Sequence, residues 1–195
     1  MNYSSYRRFG IKGYTHLAIN KVRRLIYGGE IKEHIYLMRD LQKDFPIPEM
    51  DYRQLELKDF EYQASLPNGD KKWFNKDKIE KIASYFKQPG QIAYGHYEGE
   101  ILASYGWINL NGFNLGKYQL TKEDGYLWDD YTNPEFRGRG LQKASILFRM
   151  KVLKDMCRLS AWSSVAPHNK ASYKNYLRAG FKPKLKITNI IKYYH

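Results

Sequence analysis

The feature that most constrains the fold is the join at Tyr131-Thr132-Asn133-Pro134-Glu135-Phe136-Arg137-Gly138-Arg139-Gly140-Leu141-Gln142. On its upstream side, Tyr126 to Thr132 is rich in aromatics and reads as a strand. On its downstream side, Leu141, Ala144, Ile146, Leu147, Met150, Val152, Leu153 and Met156 recur with the period of an amphipathic helix. A strand therefore passes into a long helix through a short, basic, glycine-bearing turn. Glycine admits positive φ and close approach of backbone to a ligand. The first N–H groups of a helix have no partner within it, and the helix dipole is positive there. A phosphate or pyrophosphate is the ligand such a turn suits, with Arg137, Arg139 and Lys143 adding charge. The turn is neither a Walker A loop, which ends Gly-Lys-Ser/Thr, nor a dinucleotide fingerprint, which has a third glycine.

The rest of the chain supplies the other layers. Asp77 to Phe86 reads as a helix ended near Pro89-Gly90, and Gln91 to Tyr97 with Ile101 to Leu110 reads as a hairpin turning at Glu98-Gly99-Glu100. Upstream, His34 to Met38 reads as a short strand and Tyr52 to Leu57 as a weaker one. Asn111 to Gly125 is polar and reads as a loop or frayed hairpin. Downstream, Ala161 to Val165 is a strand, Asn169 to Ala179 a helix stopped by Gly180, and Ile187 to Ile191 a closing strand. This order is an α/β chain, α+β in the sense of a mixed sheet, with no internal repeat. Tyr14 to Tyr27 has helical spacing, so residues 1–30 read as an N-terminal helical extension and 31–195 as a single domain.

Composition narrows the function. No apolar run approaches the ~18 residues that span a bilayer, and no apolar stretch follows the basic start, so a cytoplasmic protein is expected. A single cysteine, Cys157, excludes an intrachain disulfide framework; its place near a helix end reads as core. Histidines are scattered, with no metal-ligand spacing, so no metal is expected. The net charge is +13, and Arg137 to His195 holds 14 basic residues and one acidic residue, so the whole excess lies in that segment. Such a field favours a polyanionic partner: nucleic acid, an anionic surface or a phosphorylated ligand.

Arg137-Gly138-Arg139-Gly140-Leu141-Gln142 resembles the R/Q-x-x-G-x-G/A loop of the GNAT N-acyltransferase superfamily, and Asn169 to Phe181 resembles that family's later N-x-x-x-x-x-x-Y-x-x-x-G-F segment. The two occur in the family's order, and with the hairpin the resemblance covers roughly Gln91 to Phe181. It implies a GNAT-like acyl-CoA fold with acetyl-CoA, or another acyl-CoA, as co-substrate. It implies a diphosphate held by Arg137, Gly138, Arg139, Gly140, Leu141, Gln142 and Lys143, and backbone groups at Tyr131 and Thr132 for the thioester and pantetheine arm. Gln142 stands where the family has Gly or Ala, so its side chain is expected to point away from the diphosphate. Asn169 caps the last helix or contacts the cofactor.

The implied reaction is direct transfer of the acyl group to a primary amine in a ternary complex. The amine must be neutral, the carbonyl polarised and the leaving thiolate protonated. Tyr176 matches the family's tyrosine and is the expected acid. For the base, Asp129 and Asp130 stand out; strict alternation puts Asp130 on one face with Tyr126, Trp128 and Thr132, and family geometry favours Asp130. The acceptor is a small amine, an amino sugar or a peptide, with Trp73, Trp107, Tyr126 and Trp128 as pocket aromatics. Two other readings stay open: a basic nucleic-acid-binding module and a GNAT-like protein that binds acyl-CoA without catalysis.

Overall fold

The computed structural model describes residues 29–112, 114–115 and 118–192. The helix expected over Tyr14–Tyr27 lies outside the described residues. Nine strands are described: β1 (Gly29–Asp40), β2 (Arg53–Leu55), β3 (Gln91–Glu98), β4 (Ile101–Asn109), β5 (Asn114–Leu115), β6 (Tyr118–Gln119), β7 (Asp124–Thr132), β8 (Ser160–Val165) and β9 (Lys182–Lys192). The helices are α1 (Leu57–Ser65), α2 (Lys76–Phe86), α3 (Leu141–Asp155) and α4 (Lys170–Arg178).

Seven strands form one mixed sheet in the order β2-β3-β4-β7-β8-β1-β9, and β5 pairs with β6 apart from it. The pairs are antiparallel except β7 with β8, whose parallel register runs from Asp124↔Ser160 to Leu127↔Ser163. A parallel pair needs a crossover, and α3 provides it. Pairing stops at Leu127 while β7 continues to Thr132, so the two strands part at their C-terminal ends. β1 lies between β8 and β9, pairing Ile35↔Val165 on one side and Gly29↔Lys192 on the other. It therefore starts inside the segment expected to be an extension. The β3–β4 hairpin turns at Gly99, whose φ of +60° suits a two-residue loop.

The core lies on both faces of the sheet. Leu37, Ile108, Leu127, Ile146, Met150, Leu153 and Phe181 pack on the α3/α4 side. Phe60, Phe74, Ile82, Tyr105, Trp107 and Tyr131 pack on the α1/α2 side. β4 is buried on both faces, which is why its alternation is weak in the sequence.

Several local expectations are corrected. Helix α1 was not anticipated; Glu56 and Asp59 form a capping box that starts it. The polar stretch after β4, expected as a loop or frayed hairpin, does hold a short antiparallel pair, β5 with β6. Cys157 is exposed, not core, because α3 ends at Asp155 and Cys157 takes a positive φ of 57° that turns the chain away. Trp107 is fully buried between Phe60, Phe86 and Tyr85 and lines no pocket among the described residues.

Candidate active site

The site is built where β7 parts from β8. The pairing of β4 with β7 shifts register between Tyr105↔Tyr131 and Trp107↔Trp128, so Asp129 and Asp130 together face Gly106. This is a β-bulge, and Asp129 adopts a φ of +47° within it. The bulge breaks the alternation. Leu127 packs toward α3, whereas Trp128 packs toward α2 and Asp129 pairs with Lys78 of α2 at 2.7 Å. Asp130 turns back toward α3 and α4. Asp130 thus does not share a face with Trp128, contrary to the expectation from strict alternation.

Asp130 is the hub of a largely buried polar cluster. The guanidinium of Arg149, itself fully buried on α3, pairs with Asp130 Oδ1. Arg149 also donates to the Trp107 carbonyl at 2.9 Å and to the Ser145 carbonyl at 3.1 Å. The Tyr176 hydroxyl donates to Asp130 Oδ2 at 2.7 Å, and Gln142 Nε2 approaches the same oxygen at 3.4 Å. Gln142 also donates to Ser172 Oγ at 3.1 Å and accepts from Asn175 Nδ2 at 2.8 Å, so its side chain points toward α4. Burial, and then the charge of Asp130, push the Tyr176 phenol well above its ordinary value of 10, so it stays protonated through the neutral range. Tyr52 joins from the far side, donating to the Leu141 carbonyl at 2.9 Å; burial pushes its phenol up to about 12.

Two cavities meet at this cluster. The first, a cleft of about 510 Å³, is lined by Trp73, Asp130, Tyr131, Thr132 and Arg137, by Gly138, Gly140, Leu141 and Gln142 of the glycine turn, and by Asn169 and Arg178 near α4. Its floor is the start of α3. Gly140 is the N-cap of that helix and offers no side chain to its first N–H groups. Gly138 and Gly140 have φ of +85° and +79°, and open space lies where a Cβ would project at either. Those features leave the first turn accessible to an anion. The second cavity, about 420 Å³, lies on the α2 side and is lined by Lys81, Tyr85, Tyr126, Trp128, Asp129 and β8 residues. Asp130, Gln142, Asn169 and Ser172 line both.

Most of the expected site residues come together. Tyr131, Thr132, Arg137, Gly138, Gly140, Leu141, Gln142, Asn169 and Asp130 line the first cleft. Arg139 and Lys143 do not: the Arg139 guanidinium stacks over the Phe136 ring at 5.0 Å. Asn169 caps α4 through the Ser172 N–H at 3.3 Å and faces the cleft as well. Tyr176 is fully buried behind Asp130 and lines neither cavity. Of the proposed aromatics, Trp73 lines the first cavity, and Tyr126 and Trp128 the second. Arg149 was missed. The signal for it was a charged residue on the helix face that also carries Leu141 and Ser145, opposite a glycine in an otherwise apolar strand. Among the described residues, no group of three or more His, Cys, Asp or Glu side chains is placed to hold a metal, and no helix is long and apolar enough to cross a membrane.

Comparisons with known proteins bear on the fold and the family. No curated protein matches the chain. Among solved structures, an acetyltransferase from the GNAT family of Colwellia psychrerythraea is 14% identical with a TM-score of 0.58, over 90% of this chain and 62% of that one. A GCN5-related N-acetyltransferase from Kribbella flavida is 13% identical with a TM-score of 0.56, over 88% and 63%. A glucosamine N-acetyltransferase region of a fungal multi-domain β-N-acetylglucosaminidase is 12% identical with a TM-score of 0.59, over 92% and 23%. The chain spans less than two thirds of each of these proteins, and the likeness is one of fold. The Acetyltransferase (GNAT) family model matches residues 36–181, three quarters of the sequence, and the chain belongs to that family.

Proposed function

We propose that the protein transfers an acetyl group, or a related acyl group, from acyl-CoA to a primary amine within a ternary complex. The observation that carries this reading is the position of Asp130 at the junction of two cavities, one with an anion-binding floor and one without. The diphosphate would rest on the first turn of α3, against Gly138 and Gly140, with Arg137 and Arg178 offsetting its loss of solvation. A backbone N–H freed by the bulge in β7 would polarise the thioester carbonyl. The amine would enter from the second cavity.

Bound acyl-CoA supplies an activated carbonyl with a thiolate leaving group. As the amine nitrogen bonds to that carbon it becomes acidic, and Asp130 takes its proton. The carbon–sulfur bond then breaks, and Asp130 passes the proton to the sulfur. The products are an amide and a free thiol, and the proton balance closes on one side chain. Tyr176 and Arg149 act through Asp130: they fix the orientation of its two oxygens and would hold it at the junction. This assigns Tyr176 a positioning role in place of direct proton donation to the sulfur.

The experiment is isothermal titration with acetyl-CoA and desulfo-CoA at moderate and high salt. Micromolar binding that survives salt is expected. Absence of binding at both would reduce the glycine turn to a connection and send the basic face to assays with RNA and DNA.

A further inference from the structure

Resting on that reading, we infer that the acceptor is a primary amine on a short alkyl arm of an aromatic ring, with an anionic group at the far end of the ring. The inference comes from what the second cavity leaves unengaged. Its walls are rigid and aromatic. Tyr85 and Trp128 meet edge to face at 4.6 Å, Trp128 Nε1 is fixed on Gln91 Oε1 at 3.1 Å, and the Tyr126 hydroxyl is fixed on Ser164 Oγ at 2.7 Å. A flat ring fits between such walls and stacks on them without ordering further side chains.

Most polar groups of the cavity away from Lys81 and Tyr85 already have partners within the protein. Asp129 is taken by Lys78, Asp130 by Arg149 and Tyr176, Gln142 by Ser172 and Asn175, and the Asn169 side-chain oxygen by the α4 cap, which leaves its amide nitrogen as a donor. A polyhydroxylated acceptor would find few free partners and would lose hydration on entry. Both carboxylates carry a cation of their own, so a polyamine would find no uncompensated negative charge. Among the described residues, the Lys81 ammonium and the Tyr85 hydroxyl have no hydrogen-bond or ion-pair partner, and they sit together on α2, the ammonium 6.0 Å from the Tyr85 ring centre. An anionic group leaving the ring away from Asp130 would meet these two.

The test compares kcat/KM of the full-length chain with acetyl-CoA for benzylamine, 4-(aminomethyl)benzoate, glucosamine, spermidine and a lysine-containing peptide. 4-(Aminomethyl)benzoate is expected to exceed glucosamine, spermidine and the peptide by about tenfold or more, and to exceed benzylamine. Lys81 is exposed on α2, so Lys81→Glu should fold, and it should reverse the order of the two ring amines. Preference for glucosamine, spermidine or the peptide would overturn the inference, as would an unchanged ratio in Lys81→Glu. So would bound acetyl-CoA with no ring amine acetylated; in each of these cases the acyltransferase reading itself survives. Absence of acetyl-CoA binding, measured in parallel by titration, would remove both.

Discussion

Gly106 of β4 and Arg149 of α3 occupy one space: a Cβ added to Gly106 would overlap the guanidinium of Arg149. The glycine sits opposite the bulge that carries Asp129 and Asp130, so the missing side chain makes room for the cation that neutralises Asp130. Three elements thus converge at one point: a bulge in β7, a gap in β4 and a buried arginine on α3. Gly106→Ala must push Arg149 aside. It should cost about 1–3 kcal/mol, as overpacking of a core does. It should also lower kcat while leaving acetyl-CoA affinity near wild type. Urea denaturation and steady-state kinetics on the same preparation check this; a variant as stable and active as wild type would contradict it.

The pair itself invites a double-mutant cycle. Removing one partner leaves the other charged and buried, so Arg149→Met should destabilise by about 3–5 kcal/mol. Removing both with Arg149→Met and Asp130→Leu should cost less than the sum of the single changes, because no orphan charge remains. Additive losses in urea denaturation would mean that the two groups are not coupled.

Legibility in the sequence followed the range of the forces involved. The turn at Arg137–Gly140 and the helix stop at Gly180 depend on local backbone needs and were readable as such. So was the β3–β4 hairpin, whose turn residues and alternation are adjacent in the chain. Asp130 was picked out, but for a face it does not occupy. The bulge that redirects it arises from pairing with a strand 23 residues upstream, where Trp107 meets Trp128 but Tyr105 meets Tyr131. Arg149 shows the same limit: a lone arginine in an apolar helix face has meaning only once Asp130, Gly106 and the Trp107 carbonyl are brought beside it. The position of β1 between β8 and β9 was equally hidden, since nothing local in Gly29–Asp40 specifies partners more than a hundred residues away.

Tyr176→Phe removes a hydroxyl that donates to Asp130 and keeps the ring that packs edge to face on Phe181 at 5.0 Å. Acetyl-CoA affinity should be unchanged and kcat should fall about tenfold, the effect of one lost charge-assisted hydrogen bond on a positioned group. A loss comparable to that of Asp130→Asn would instead make Tyr176 a direct participant.

Alkaline stability follows from the buried phenols. Burial raises Tyr52 and Tyr126 to about 12, and it also raises Tyr105, Tyr131 and Tyr176 well above the ordinary value of 10 near which an unfolded tyrosine titrates. Up to about pH 9 both states hold these protons and stability is unaffected. Above it the unfolded chain releases protons that the folded chain keeps, so stability falls as pH rises. Each such phenol contributes a loss of about 1.4 kcal/mol per pH unit until its folded value is reached. Urea midpoints at pH 8, 9 and 11 should be equal or nearly so at the first two and sharply lower at the third. A flat series would show that these phenols titrate alike in both states.

In the proposed reaction Asp130, at the meeting point of the two cavities, carries the proton from nitrogen to sulfur. Asp130→Asn keeps the shape but cannot take a proton; it also leaves the buried Arg149 without its counter-charge, so it should lose stability as Arg149→Met does and is assayed where urea denaturation shows it folded. The decisive measurement is single-turnover acetyl transfer by Asp130→Asn to an accepted amine, alongside its acetyl-CoA affinity by titration. The account gives binding within a few-fold of wild type and a transfer rate lower by about a hundredfold or more, the upper range for loss of a general acid–base group. Wild-type transfer in a variant that binds acetyl-CoA normally would contradict it.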